Sequence, residues 1–314
     1  MIRIGIDVGG TGIQIGAVNE KLEIISRGAV PTRTDLPFEE QVRQIAECAL
    51  QVLASAQPAL IPADVVSVGV GIPGIADRNG NVIKCINMGW HHVSLRQEFV
   101  KTLDKPVFID NDANVAALAE SVAGISAGTS SSVFMTLGTG IGSGIILNGR
   151  IWSGAHGIGG ELGHTIMDLD GVPCTCGNHG CLERYCSATA IIRMAREAVA
   201  GAPDSAIMQA CSGDPAKINA KIVVDAARAG DPLGVKLFGR YVALLGQAVA
   251  NVVNFLDPEV IVLGGGVSKA GAFLLDAVRA EFPKYVLFND QPLPRLELAV
   301  LGPDAGIIGA AMLS

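Results

Sequence analysis

Asp7-Val-Gly-Gly-Thr-Gly-Ile-Gln-Ile-Gly-Ala-Val-Asn19 lies without gaps over Thr136-Leu-Gly-Thr-Gly-Ile-Gly-Ser-Gly-Ile-Ile-Leu-Asn148. Each stretch reads as a strand, a Gly/Thr turn and a returning strand, and its recurrence predicts two domains of like design facing each other. Outside the repeat, Val- and Ile-rich runs at residues 65–71, 107–110, 132–136 and 260–263 alternate with helical patterns. Such runs suit strands buried on both faces, so the fold class is α/β.

Neither Gly/Thr turn is a dinucleotide fingerprint, because that motif passes from a strand into a helix and these turns lead into strands. Singly, either is an ordinary tight hairpin. As a pair they read as a clamp on a polyphosphate chain. Gly9, Gly10 and Thr11 can present N–H groups and a hydroxyl to a phosphate, Gly138, Thr139 and Gly140 can do the same, and Asp7 can hold magnesium through water. Gly264-Gly265-Gly266 differs, following the run 260–263 and preceding a helical pattern at 270–282, so Gly265 and Gly266 would let a nucleotide approach the backbone.

Pro106-Val-Phe-Ile-Asp-Asn-Asp112 reads as a strand running into a helix over residues 113–123, with Asp112 at or next to the N-cap. Aspartate is a preferred cap for structural reasons alone. The same geometry favours its ionised form, and the carboxylate can then accept a proton from an alcohol. Asn111 beside it offers a donor and an acceptor to a neighbouring hydroxyl.

In residues 160–183, G-E-L-G-H is followed nine residues later by C-T-C-G-N-H-G-C-L-E. His164, Cys174, Cys176 and Cys181 suit a closed tetrahedral zinc site, and Glu161 and Glu183 bracket them. A second set with Cys186 in place of His164 is weaker, since Cys186 falls in what reads as the next helix. If one ring nitrogen of His164 ligates zinc, the other is fixed as a donor for a substrate hydroxyl. His156 and His179, among glycines, read as solvent-facing or packing residues, and Trp90 as a packing residue.

The 314 residues suffice for two cores, and a composition of 49% hydrophobic and 17% charged residues with 39 glycines is that of a turn-rich globular enzyme. A net charge of -7 with no Lys/Arg run argues against a nucleic-acid partner. The mean hydropathy is positive, yet the most apolar helical stretch, residues 241–256, is short and interrupted by Gln247, Asn251 and Asn254, so no membrane span is expected. Strand-like alternation from the first residues leaves no room for a leader, and seven cysteines, three at metal-like spacing, fit a reducing compartment. A cytoplasmic protein is expected. Residues 201–215, rich in Ala, Pro, Asp and Ser, read as a surface connection.

Taken together, D-V-G-G-T at Asp7, G-I-P-G at Gly71, N-M-G-W at Asn87, D-N-D-A-N at Asp110, L-G-T-G-I-G at Leu137, G-E-L-G-H at Gly160, C-x-C-G-x-x-G-C-x-E at Cys174 and L-G-G-G at Leu263 resemble the ROK (repressor, open reading frame, kinase) sugar kinases, most of all the bacterial ROK glucokinases. The resemblance covers nearly the whole chain. It implies an actin-like (ribonuclease H-like) fold of two α/β domains with an interdomain cleft. Residues 1–118 plus 300–314 would form a smaller N-terminal domain, and 119–299 a larger one carrying the zinc module and a dimer surface. The resemblance further implies ATP and magnesium at the phosphate hairpins, Asp112 as base for a hexose 6-hydroxyl, and Glu161, His164, Glu183, Asn111 and backbone near Gly71 on the other hydroxyls. Zinc would be structural and the protein a homodimer. Glucose is the expected hexose, with N-acetylmannosamine, N-acetylglucosamine and fructose as alternatives. Polyphosphate in place of ATP would need a basic track, and none is evident. The alternative of a sugar-sensing repressor of the same family is disfavoured, since those carry a winged helix-turn-helix ahead of the kinase-like body, whereas this chain is acidic and opens on its first phosphate strand.

Overall fold

The computed structural model describes residues 1–314 and divides into two compact units, Met1–Ser130, Gly144–Gly160, Val300–Ser314 and Ser131–Ser143, Glu161–Ala299. Compared with an N-terminal domain of 1–118 plus 300–314, the first unit also takes in 119–130 and 144–160. The helix Asp112–Val122 runs on past residue 118, and Gly144 lies against its residues Ala113, Asn114 and Ala117.

The first unit contains β1 (Ile2–Val8), β2 (Gly12–Val18), β3 (Ile24–Pro31), β4 (Val65–Ile72), three short strands β5 (Ile75–Ala76), β6 (Val82–Cys85) and β7 (Trp90–Val93), and β8 (Val107–Asn111). Its main sheet has the order β3-β2-β1-β4-β8, in which β1 to β3 form an antiparallel meander and β4 and β8 run parallel to β1. Side chains alternate across the sheet. Ile4, Ile6, Ile13, Ile15, Val68 and Val70 face α1 (Phe38–Ser55) and α2 (Leu95–Leu103) in one core. The apolar positions 42, 45, 46, 49, 52 and 53 of α1 follow helical spacing and are buried. Trp90 is a packing residue, as expected: it is 1% exposed, meets Phe38 edge to face at 5.7 Å, and its Nε1 donates to Gln41 Oε1 at 3.1 Å. After β8 comes α3 (Asp112–Val122).

A second sheet has the order β11-β10-β9-β12-β13, from β9 (Ser131–Leu137), β10 (Ile141–Leu147), β11 (Arg150–Ile151), β12 (Val260–Gly264) and β13 (Arg295–Leu298). Strand β12 runs parallel to β9 and β13, and the division between units falls inside β10. The ungapped overlay of the two Gly/Thr stretches is borne out: β1 and β9, and β2 and β10, are each seven residues long and occupy matching positions around the turns 9–11 and 138–140.

The second unit adds α4 (Glu183–Cys186), α5 (Ala188–Ala198), α6 (Ala206–Ala210), α7 (Ala220–Arg228), α8 (Pro232–Leu256), α9 (Gly265–Ser268) and α10 (Ala272–Glu281). Two sequence expectations need correction. The apolar helix begins at Pro232 rather than 241, because Asp231 caps it through Gly234 N and Pro232 fits a first turn. At 25 residues α8 is long and apolar enough to cross a bilayer, but 56% of that apolar window is buried inside the fold, the state of a core helix. Residues 201–215 are more than a surface connection. Ser205 and Asp231 tie the start of α6, and Ile207 and Cys211 are buried. The helical pattern expected at 270–282 is borne out as α10, and the short α9 precedes it, with Gly271 between the two at φ 66°.

The last helix, α11 (Ala305–Ala311), packs on β1, β4 and α3. The opposite face of the main sheet receives it on a row of glycines, since Gly16, Gly5 and Gly69 are register partners on β2, β1 and β4. A Cβ on Gly5 would overlap the Ile307 carbonyl oxygen, and one on Gly69 the Ala310 carbonyl oxygen. Buried Glu120 secures the approach: Oε1 accepts from Val300 N at 2.9 Å and Leu301 N at 3.0 Å, and Oε2 from Ile125 N at 3.0 Å. Gly69→Ala therefore opposes helix backbone that cannot swing aside, and we expect a loss of about 3 kcal/mol or more, read from the urea midpoint. An unchanged midpoint would show that α11 shifts at little cost.

Candidate functional site

Strand register sets the first half of the site. Asp7 on β1 lies beside Gly71 on β4, and Gly71 beside Asp110 on β8. These residues sit at the carboxyl ends of three parallel strands, where α/β sheets bind their ligands. The chain then turns into α3. Asn111 is the N-cap, its Oδ1 accepting from Ala113 N at 2.9 Å and Asn114 N at 3.4 Å while its Nδ2 donates to Gly74 O at 3.2 Å. Asp112 is the first helical residue, next to the cap; it is exposed, and its Oδ1 accepts from Ala113 N at 2.9 Å. Asp110 Oδ1 accepts from Asn111 N at 2.7 Å and Asn114 Nδ2 at 2.8 Å, which fixes the strand-to-helix corner.

Burial pushes the Asp110 and Asp7 carboxyls above the usual carboxylate range. The Cys85 thiol is pushed up to about 11, by burial first and with the Asp112 charge adding to it, so a neutral thiol lies within the field of Asp112. Beneath Asp7, Gly306 of α11 leaves space that a Cβ would take from the carboxylate.

The two hairpin turns are tied in the same way. Thr32 Oγ1 donates to Gly9 O at 2.7 Å, and Thr189 Oγ1 donates to Thr139 O at 2.7 Å. Holding these carbonyls back favours N–H groups as the face offered to an anion. Gly10, Thr11 and Thr139 are exposed.

In the second unit, β9 and β12 are parallel neighbours, so the turn 138–140 and the glycines that follow β12 leave the sheet at the same edge. Gly265, at φ 83°, lies so close to Leu137 that a Cβ would be 2.7 Å from its backbone N and C atoms. Gly266 lines a cavity of about 270 Å³ with Val267, Lys269 and α7 residues Lys221, Val224 and Arg228. Sequence reading missed this α7 wall, whose only local signal is the common i,i+4 pairing of Lys221 with Asp225. Arg228 is held at the rim over the Phe273 ring, 5.2 Å from its centroid, with Nη2 donating to Ala270 O at 3.0 Å.

His164, Cys174, Cys176 and Cys181 do come together, with their ligand atoms all within 4.8 Å of one another. Cys174 Sγ is 3.8 Å from His164 Nδ1, and Cys176 Sγ is 3.6 Å from Cys181 Sγ. Tetrahedral zinc with its usual bond lengths puts ligand atoms about 3.5–3.8 Å apart, so this donor set fits structural zinc. His164 turns Nδ1 to the cluster, which leaves Nε2 as the other donor. Cys186, the alternative ligand, is fully buried outside the cluster, and burial raises its thiol pKa. His156 and His179 are exposed.

Glu161 precedes the turn Leu162–His164 and is exposed. Glu183 opens α4, and its Oε2 accepts from Ile141 N at 3.0 Å, just past the second Gly/Thr turn. That bond was not foreseen.

The sequence profile of the ROK family matches residues 3–314. A glucokinase of Thermotoga maritima is 36% identical over 312 residues, covering 99% of this chain and 96% of the relative, and one of Halalkalibacterium halodurans is 37% identical over 313 residues, covering 99% and 94%. Among solved structures, a ROK family glucokinase of Streptomyces griseus in complex with glucose and AMPPNP is 33% identical, with a TM-score of 0.81 over 99% of this chain and 98% of that one. These likenesses bear out the actin-like α/β sugar-kinase fold.

Proposed function

Because the chain belongs to the ROK family, we propose that it transfers the γ-phosphoryl group of ATP to the 6-hydroxyl of a hexose, with glucose preferred. The observation that carries this reading is the alignment of Asp7, Gly71 and Asp110 across three parallel strand ends, with Asp112 opening the helix that follows. It joins a carboxylate suited to a magnesium–phosphate group to one suited to a reacting alcohol.

In this reading Asp112 accepts the 6-hydroxyl proton as the phosphoryl group passes over. The transition state is loose and the proton leaves late, so holding the oxygen in line matters more than basicity. Asn111, the backbone at Gly71, Glu161, His164 through Nε2, and Glu183 take the remaining hydroxyls. Gly9, Gly10 and Thr11, with Gly138, Thr139 and Gly140, bind nucleotide phosphates. Magnesium, held through Asp7, neutralises phosphate charge when bound, and a cation there offsets the burial that disfavours ionised Asp7. In the same reading Gly265 and Gly266 border the adenosine, and the cavity lined by Gly266, Val224 and Val267 is the place assigned to its ring. A polyphosphate donor has no use for such a cavity. Zinc is structural, since four protein ligands leave no open position.

We further propose a homodimer acting in the cytoplasm. A groove of about 500 Å³ bordered by Leu162, Ile166, Val252 and Phe255 runs beside the His164 turn, and Phe255 is 83% exposed. An apolar patch of this kind is suited to a second copy. The mass in dilute solution should be that of a dimer; a monomer at micromolar concentration would remove that assignment. For the activity, a panel of hexoses and N-acetylhexosamines assayed for ADP release with ATP and magnesium, and repeated with polyphosphate, should single out ATP and glucose. Absence of turnover with every sugar would sink the kinase reading.

A further inference from the structure

The second phosphate turn is held from outside by one short segment. Residues 183–189 make three contacts to it: Glu183 Oε2 accepts from Ile141 N at 3.0 Å, Ala188 N donates to Gly138 O at 2.8 Å, and Thr189 Oγ1 donates to Thr139 O at 2.7 Å. Within the turn there is one backbone bond, Gly138 N to Gly140 O at 3.0 Å. The anchor on the Ile141 side is thus a carboxylate, and hydrogen bonds to charged acceptors are about twice as strong as neutral ones. Glu183 lies two residues after Cys181 and makes no other side-chain hydrogen bond within the chain, which leaves Oε1 available to a ligand.

We propose that Glu183 is a positioning residue for nucleotide phosphates as well as a ligand for the hexose. Through Oε2 it sets the backbone of residues 138–141 as an anion cradle, and through Oε1 it takes a sugar hydroxyl. One carboxylate then serves both substrates, and a hydroxyl that orders it on one side orders the turn on the other. Nucleotide binds more tightly once hexose is present, and by linkage hexose binds more tightly once nucleotide is present. The inference rests on residues 138–140 being a phosphate turn in a sugar kinase. It adds that the acid at the end of the cysteine motif acts on the nucleotide even when no sugar is bound.

The test is nucleotide affinity without sugar. AMPPNP with magnesium is titrated into the full-length protein and into E183A, E183Q and T189V, with amide exchange at Ile141 and zinc content measured alongside. E183A should weaken sugar-free nucleotide binding about tenfold, speed exchange at Ile141 and keep its zinc. E183Q, whose amide oxygen can still accept from Ile141, should recover part of the loss, and T189V should lose affinity by a smaller factor. In the parent protein glucose should tighten AMPPNP binding, and in E183A it should not. A role confined to the sugar predicts sugar-free nucleotide affinity within twofold of the parent in E183A, and that result overturns the proposal while leaving the kinase reading intact. If the parent itself binds no nucleotide, the kinase reading falls and takes this proposal with it. Should E183A not fold, E183Q and T189V decide by the same criterion.

Discussion

Asp112→Asn is expected to lower turnover about 10²–10⁴-fold, the usual worth of a general base, while hexose and nucleotide affinities stay nearly unchanged. The substitution preserves shape. An asparagine Oδ1 can keep the bond from Ala113 N that Asp112 makes at 2.9 Å, and Asn111 rather than Asp112 is the N-cap, so the start of α3 keeps its cap. What is lost is the charge that accepts the hydroxyl proton. A base acting only in the transition state should therefore appear in kcat and in kcat/KM equally, with KM unmoved. Full activity in the variant would refute the assignment. A rise in KM with unchanged kcat would make Asp112 a binding residue only.

The second large effect is expected from Cys176→Ser. Cys176 is the exposed member of the four metal ligands, so its replacement leaves no hole in the core, and the consequences come through the metal. A serine hydroxyl is a poor substitute for thiolate on zinc. Between the turn Leu162–His164 and α4 the chain has no regular element beyond two isolated bridges, Ile166 to Cys181 and Pro173 to His179. Metal binding in such a segment is also folding energy. Its two ends carry Glu161 and Glu183, so loss of zinc should loosen both acids and weaken hexose affinity by about tenfold or more. Zinc content and sugar binding are measured on the same sample. Zinc lost with sugar affinity retained would separate the metal from substrate recognition.

These two sites were the most legible in the sequence, for a shared reason. Metal ligands and helix caps act over a few residues, so spacing alone exposes them: Cys174, Cys176 and Cys181 stand close together in a glycine-rich segment, and Asp110 to Asn114 span one strand-to-helix corner. The paired hairpins were legible because a Gly/Thr turn between Val- and Ile-rich strands has few other solutions. The start of α8 was legible in principle, since Asp231-Pro232 is a cap followed by a first-turn proline, but the polar residues early in that helix hid its periodicity. The wall of α7 beside Gly266 carries no motif. An amphipathic helix looks alike whether it borders a ligand or only a core.

Local chemistry, written in the order of the residues, determined the α/β class, the two Gly/Thr turns, the cluster of zinc-type ligands and the aspartate at the head of α3. Tertiary structure alone decided what depends on residues far apart in the chain. Gly5, Gly16 and Gly69 read as unremarked small residues in three strands, and only their register makes them one seat for a helix that begins at Ala305. Asp7 and Asp110 become neighbours of Gly71 by the same pairing. Glu183 is joined to Ile141, 42 residues earlier, by a single bond that no spacing rule reports. Sequence patterns record what a residue can do locally, whereas strand pairing and close packing fix which residues do it together.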